Sequence, residues 1–163
     1  MKNLWAPWRM KYIKDEYSKP QGCVFCQKLE EQKDEDNLIL LRGKTAFIIM
    51  NLYPYNNGHL MVVPCRHISD FTALREDETA EIIALLKKSN IALKKAMNPA
   101  GFNIGLNLGR VAGAGIAEHI HWHIVPRWEA DTNFMPVVNN TTVIPQALDE
   151  AYNLIKRNLD EQQ

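Results

Sequence analysis

The chain has 163 residues, 46% hydrophobic and 23% charged, which suits one globular domain and is short for two. Its 19 basic and 19 acidic residues give a formal net charge of zero, which argues against a broad nucleic-acid footprint but leaves room for a small polyanionic ligand. No stretch approaches the roughly 18 apolar residues of a membrane span, and the first ten residues lack the apolar run of a secretory signal, so a cytoplasmic protein with no membrane partner is expected.

In chain order, residues 1–22 read as an irregular arm whose Trp5, Trp8, Tyr12 and Tyr17 would bury against the domain or a second subunit. The charged run 30–37 reads as a solvated loop or helix end. Apolar runs at 38–41 and 45–50, separated by Arg42, Gly43 and Lys44, signal a β-hairpin. A dense turn cluster follows from Asn51 to Gly58, then a strand at 59–63 closed by Pro64. Over 72–97, Leu74, Ile82, Leu85, Leu86, Ala92, Leu93 and Ala96 recur at helical intervals, and Asn98, Pro99 and Gly101 stop the helix. Alternation predicts a strand at 102–108. A glycine-rich loop, Gly109, Gly113 and Gly115, leads to a last strand at 119–125. After Pro145 an amphipathic helix, 145–160, carries Leu148, Tyr152, Ile155 and Leu159 on one face. The expected fold is α+β: an antiparallel sheet of five strands with one long crossover helix and a C-terminal helix. The expected organisation is a single domain over 1–163, with its core at 23–135.

The last strand carries His119, His121 and His123. Alternate side chains of a strand share a face, so the three imidazoles line one side while Ile120, Trp122 and Ile124 pack on the other. Histidine titrates near neutrality and can serve as nucleophile, acid–base group or metal ligand. Three readings compete: a solvated strand face, a three-histidine metal centre, and a nucleophile flanked by helpers. The glycine loop directly upstream favours the third, because backbone amides of such loops can cradle phosphate oxygens.

His-x-His-x-His followed by two apolar residues resembles the signature of the histidine-triad (HIT) superfamily. Asn51, Pro54, Gly58 and His59, an apolar strand, and Pro64 with His67 are similar to the first half of the same domain. The resemblance covers about residues 22–135. The opening Leu4-Trp5-Ala6-Pro7-Trp8-Arg9, the Cys23/Cys26 pair and the tail from Pro126 to Phe134 resemble the bacterial branch that includes diadenosine tetraphosphate phosphorylases. The resemblance implies an enzyme, a nucleotidyl transferase or hydrolase acting on the α-phosphate of dinucleoside polyphosphates. His121 would attack phosphorus, giving a nucleotidyl-histidine intermediate released by water or inorganic phosphate. His123 would bind phosphate or bridging oxygens, with His119 as the third member of the catalytic set. Asn107, Gly109, Gly113, Gly115, Ile116 and Ala117 would hold the developing charge, and Asn51 would contact ribose. No organic cofactor is implied, and the usual assembly is a homodimer through the long helix and the strand 102–108. Rival functions are a nucleotide-binding regulatory protein on the same fold and a hydrolase of aminoacyl or amine-linked adenylates.

Cys23 and Cys26 have the spacing of half a tetrahedral zinc site. The resemblance supplies His67 and His119 as the other two ligands of a structural zinc. The alternatives are a reduced, metal-free pair and a redox pair, the latter disfavoured because no βαβ pattern follows. Cys65 is expected to pack. Arg127 would contact phosphate or pair with a surface acid, Trp128 and Phe134 would be core or a lid, and Lys87, Lys88, Lys94 and Lys95 read as a solvated helix face.

Overall fold

A computed structural model describes residues 22–129, 131 and 144–162, and the fold is stated for these alone. The expected arm, apart from Gly22, and Phe134 lie outside them. The order is α1 (Val24–Glu30), β1 (Ile39–Arg42), β2 (Ala46–Met50), β3 (Leu60–Pro64), α2 (Glu76–Met97), β4 (Gly101–Leu106), β5 (Trp122–Arg127) and α3 (Leu148–Asp160). The strands pair antiparallel in the order β1-β2-β3-β5-β4, and α2 is the crossover between β3 and β4. This is the α+β architecture that the sequence predicts.

Every residue of β2 and β3 is buried, because the sheet is covered on both faces. Ala46, Ile48, Met50, Leu60, Val62, Trp122 and Ile124 pack with Ile82, Leu85, Leu86 and Leu93 of α2 and Tyr152, Ile155 and Leu159 of α3. The alternate residues Phe47, Ile49, Met61 and Val63 turn to the other face and pack with Phe25 of α1. The histidines of the last strand emerge on this second face, since His123 pairs with Met61 in the ladder. No helix among the described residues is long and apolar enough to cross a membrane.

Several boundaries differ from expectation: the C-terminal helix starts at Leu148 rather than 145, the third strand runs Leu60–Pro64 rather than 59–63, and the last strand ends at Arg127 rather than 125. Three further differences have a physical reason. The long helix starts at Glu76 rather than residue 72. The Asp70 carboxylate accepts the Thr72 N–H at 2.8 Å and closes a separate single turn, Phe71–Ala73, while the Glu78 carboxylate accepts the Arg75 N–H at 2.9 Å and caps α2. The fourth strand stops at Leu106; Phe102 and Leu106 pack against the core as the alternation expects, whereas Ile104 and Leu108 stay 49% and 48% exposed. The last strand begins at Trp122, not at 119. Pro64 has no N–H to extend the β3 ladder, its carbonyl accepts from the His119 ring, and the Ile120 N–H donates to the Ile68 carbonyl instead. The sequence signals neither α1, whose seven residues show no helical period, nor its packing beneath the histidines.

Candidate active site and metal centre

His119 and His121 therefore sit on an extended lead-in to β5, and only His123 is on the strand. Alternation holds along the whole segment. Ile120, Trp122 and Ile124 are buried in the helical layer, and the three imidazoles turn the other way. The His121 and His123 rings lie 4.9 Å apart, centroid to centroid, and Phe25 touches His121 at 5.1 Å and His119 at 5.5 Å.

The Nδ1–H of His121 donates to the His119 carbonyl at 2.9 Å. The proton is thereby placed on Nδ1, which leaves Nε2 with its lone pair. His121 is only 6% exposed, and burial pushes its pKa below the usual histidine range against the opposing pull of that carbonyl. The ring is thus a neutral imidazole with a defined nucleophilic nitrogen.

His123 is set by a chain of hydrogen bonds that begins in the turn cluster. The backbone N–H of Tyr55 donates to His59 Nδ1 at 3.1 Å, and an N–H can only donate, so the His59 proton is on Nε2. That Nε2–H donates to His123 Nδ1 at 2.9 Å, which places the His123 proton on its own Nε2. Among the described residues, His123 Nε2 is buried without a hydrogen-bond partner. A buried N–H without an acceptor is costly and fits a ligand oxygen. Burial, then the neighbouring His121, push His123 down to about 4; burial, then His123 and His121, push His59 down to about 3. The sequence reading treats His59 as a strand residue; its signal was there in a fourth histidine, directly after the turn glycine Gly58.

Around these rings the remaining candidates divide. Asn51 accepts the Tyr53 N–H at 2.9 Å and its amide nitrogen lies 3.3 Å from His59 Nδ1, so it braces the turn. Asn107 is half-buried and reaches the Gly113 carbonyl at 3.5 Å. Gly109 and Gly113 have φ of 81° and 95°, conformations that favour glycine. Between them the loop closes a single turn, in which the amides of Ala112, Gly113 and Ala114 donate to Gly109 and Arg110 carbonyls. Ile116 packs on the histidine face of the sheet, which brings the 115–117 backbone to that side. Arg127 takes the bland alternative: it forks onto Asp131 at 2.6 and 2.9 Å. Trp128 is half-buried and donates to the Met97 carbonyl at 3.3 Å, while Lys87, Lys94 and Lys95 are exposed and Lys88, expected on the same solvated face, is half-buried. Cys65 is half-buried at the edge of the second apolar cluster.

The four expected metal ligands come together. Cys23, Cys26, His67 and His119 offer ligand atoms all within 4.8 Å of one another. His119 Nδ1 lies 3.2 Å from Cys23 Sγ and 3.7 Å from Cys26 Sγ, and His67 Nδ1 lies 3.5 Å from Cys26 Sγ. Tetrahedral zinc with these donors has ligand edges of about 3.3–3.8 Å. The tautomer agrees, because His119 Nε2–H donates to the Pro64 carbonyl at 2.8 Å and leaves the Nδ1 lone pair facing the sulfurs. Burial, then the adjacent Cys23, push the Cys26 thiol up to about 11.

The HIT domain family model matches residues 32–130. AP-4-A phosphorylase of Mycobacterium tuberculosis is 40% identical over 161 residues, covering 95% of this chain and 83% of that protein. The adenosine 5'-monophosphoramidase of Schizosaccharomyces pombe is 29% identical over 106 residues, covering 65% of this chain and 74% of that protein. The crystal structure of a zinc-bound histidine triad family protein from Mycobacterium smegmatis superposes with a TM-score of 0.71 at 23% identity, covering 86% of this chain and 95% of that one.

Proposed function

The chain belongs to the HIT domain family, and from that premise we propose that it is a nucleotidyl transferase or hydrolase acting on dinucleoside polyphosphates such as diadenosine tetraphosphate. The observation that carries the reading is the neutral His121 imidazole, held by the His119 carbonyl at 2.9 Å with its Nε2 lone pair available.

In the proposed mechanism His121 Nε2 forms a bond to the α-phosphorus and the bond to the bridging oxygen breaks. The His123 Nε2–H, oriented through His59, donates a hydrogen bond to the departing oxygen, which leaves as a phosphate anion while the neutral imidazole keeps its proton. The leaving half departs as a nucleotide, and the nucleotidyl group stays on His121. Water or inorganic phosphate then attacks the same phosphorus and frees the histidine. Charge on the phosphoryl oxygens would fall to Asn107 and to the amides of Gly115, Ile116 and Ala117, the stretch just beyond the loop's own turn. Gly109 and Gly113 shape that loop. Asn51 keeps one amide proton and one oxygen lone pair, which would serve a ribose hydroxyl. In this reading His119 acts through its carbonyl, with its ring turned to the cysteines.

Cys23, Cys26, His67 and His119 would hold zinc. Four protein ligands close its shell, so the ion would fix side chains and offer no open position to substrate. We also infer a cytoplasmic homodimer built from one domain per chain, with the exposed apolar residues of α2 and β4, Ile83, Ile91 and Ile104, at the contact. The identity to a monophosphoramidase favours a second substrate class, amine-linked adenylates, for the same histidine step.

The test is product analysis after incubation with diadenosine tetraphosphate, with and without inorganic phosphate. ADP plus ATP marks phosphorolysis, AMP plus ATP marks hydrolysis, and no turnover of either kind counts against the reading.

A further inference from the structure

Residues 64–68 lead from β3 to the metal ligand His67, and two hydrogen bonds tie them to the histidine segment. The Pro64 carbonyl accepts from His119 Nε2 at 2.8 Å, and the Ile68 carbonyl accepts from the Ile120 N–H at 2.8 Å. Between these ties Arg66 points to the other side. Its Nε donates to Glu78 Oε1 at 2.8 Å and its Nη2 to Glu78 Oε2 at 2.7 Å, with a further bond from Nη2 to the Ala73 carbonyl at 2.9 Å.

Glu78 is 0% exposed, which is unusual for a carboxylate in the first turn of a helix. Capping α2 requires only the bond to the Arg75 N–H; the bidentate fork to Arg66 fixes a second segment in orientation as well as in distance. His67, the next residue, is exposed, and its ring meets His119 edge-on at 5.1 Å. Packing around the His67 ring is therefore slight, and its place in the cluster is set by its backbone.

We propose that Arg66 and Glu78 are positioning residues for the metal centre, their fork presetting the backbone of His67 so that the fourth ligand stands ready beside Cys23, Cys26 and His119. The inference rests on the zinc reading above. Partners one layer behind a metal ligand commonly govern how tightly the ion is kept, because they hold the ligand in its binding geometry.

The test is the rate at which zinc leaves the holoprotein in excess chromogenic chelator. Arg66→Gln should release zinc about tenfold faster. Arg66→Lys should fall between, since an ammonium cannot fork. Glu78→Gln, which keeps the buried shape, should shift the rate in the same direction. The Arg66 side chain is 41% exposed, so its replacement leaves no cavity in the core. The decisive arm repeats Arg66→Gln on a His67→Ala background, where no further acceleration beyond about twofold is expected if Arg66 acts through His67. Unchanged release in Arg66→Gln, or the same acceleration with and without His67, overturns the proposal and leaves the fork as a helix cap. Wild-type protein that holds no zinc even after zinc addition overturns the metal reading itself, and this inference with it.

Discussion

The carbonyl oxygen of His119 accepts the Nδ1 proton of His121 at 2.9 Å, while the ring of the same His119 faces the two cysteine sulfurs. One residue thus joins the cysteine–histidine cluster to the proposed nucleophile, its side chain facing the first and its backbone holding the second. Removing the metal should free the His119 ring and loosen the carbonyl that fixes the His121 tautomer. Purified protein should carry about one zinc per chain, set by the four ligands. Stripping it should lower kcat more than it raises KM, with activity restored by zinc. Elemental analysis paired with kinetics checks this, and unchanged kcat in demonstrably zinc-free protein would contradict it.

His59 should matter although it touches no substrate in this account. Its Nε2–H dictates which nitrogen of His123 carries the proton. His59→Leu removes that donor, and turnover of a dinucleoside polyphosphate should fall by about a hundredfold, the ordinary size of losing one aligned hydrogen-bond donor to developing charge. The loss should fall on kcat with KM little changed, since the hydrogen bond strengthens only as charge builds on the departing oxygen. A loss carried by KM alone would contradict that role.

Burial of neutral histidines makes stability depend on pH. His59 and His123 lie near 3 and 4 in the folded protein, against about 6.5 when unfolded. Between those values the unfolded chain binds more protons, so their contribution is complete above about pH 6.5 and is lost as pH falls toward 4. The melting temperature should therefore drop between pH 7 and pH 5, and His59→Gln should flatten that dependence. A melting temperature equal at both pH values would contradict the burial of neutral rings.

Ile104 on the edge strand β4 and Ile83 and Ile91 on α2 are 49%, 51% and 47% exposed. If they form a twofold contact, light scattering should give about twice the 18.7 kDa chain mass. Ile104→Lys should shift the protein toward monomer, since a charge on an edge strand opposes pairing. A wild-type mass near one chain at micromolar concentration would refute the dimer.

Much of this was legible in the sequence because it rests on local periods. The alternation through Ile120, Trp122 and Ile124 places three histidines on one side whether or not the backbone is in a ladder, so the site survives the later start of β5. The spacing of Ile82, Leu85, Leu86 and Leu93 reports the buried face of α2 for the same reason. What was not legible depends on partners distant in sequence. The role of His59 comes from His123, 64 residues away, and the fork of Arg66 comes from Glu78 across the turn before α2. Neither pair leaves a period to read. The alternation of β4 is obeyed only in part: Phe102 and Leu106 pack on the core, while Ile104, on the same face of the edge strand, is left 49% exposed.

In the proposed mechanism His121 becomes covalently nucleotidylated during turnover. The direct measurement is denaturing quench at alkaline pH during turnover of diadenosine tetraphosphate, followed by mass analysis of the peptide that contains residues 119–123. One adenylyl group is expected on His121 and none in His121→Asn, which should bind nucleotide without turning it over. An adduct on another residue, or His121→Asn activity within about tenfold of wild type, a barrier change of only about 1.4 kcal/mol, would contradict it.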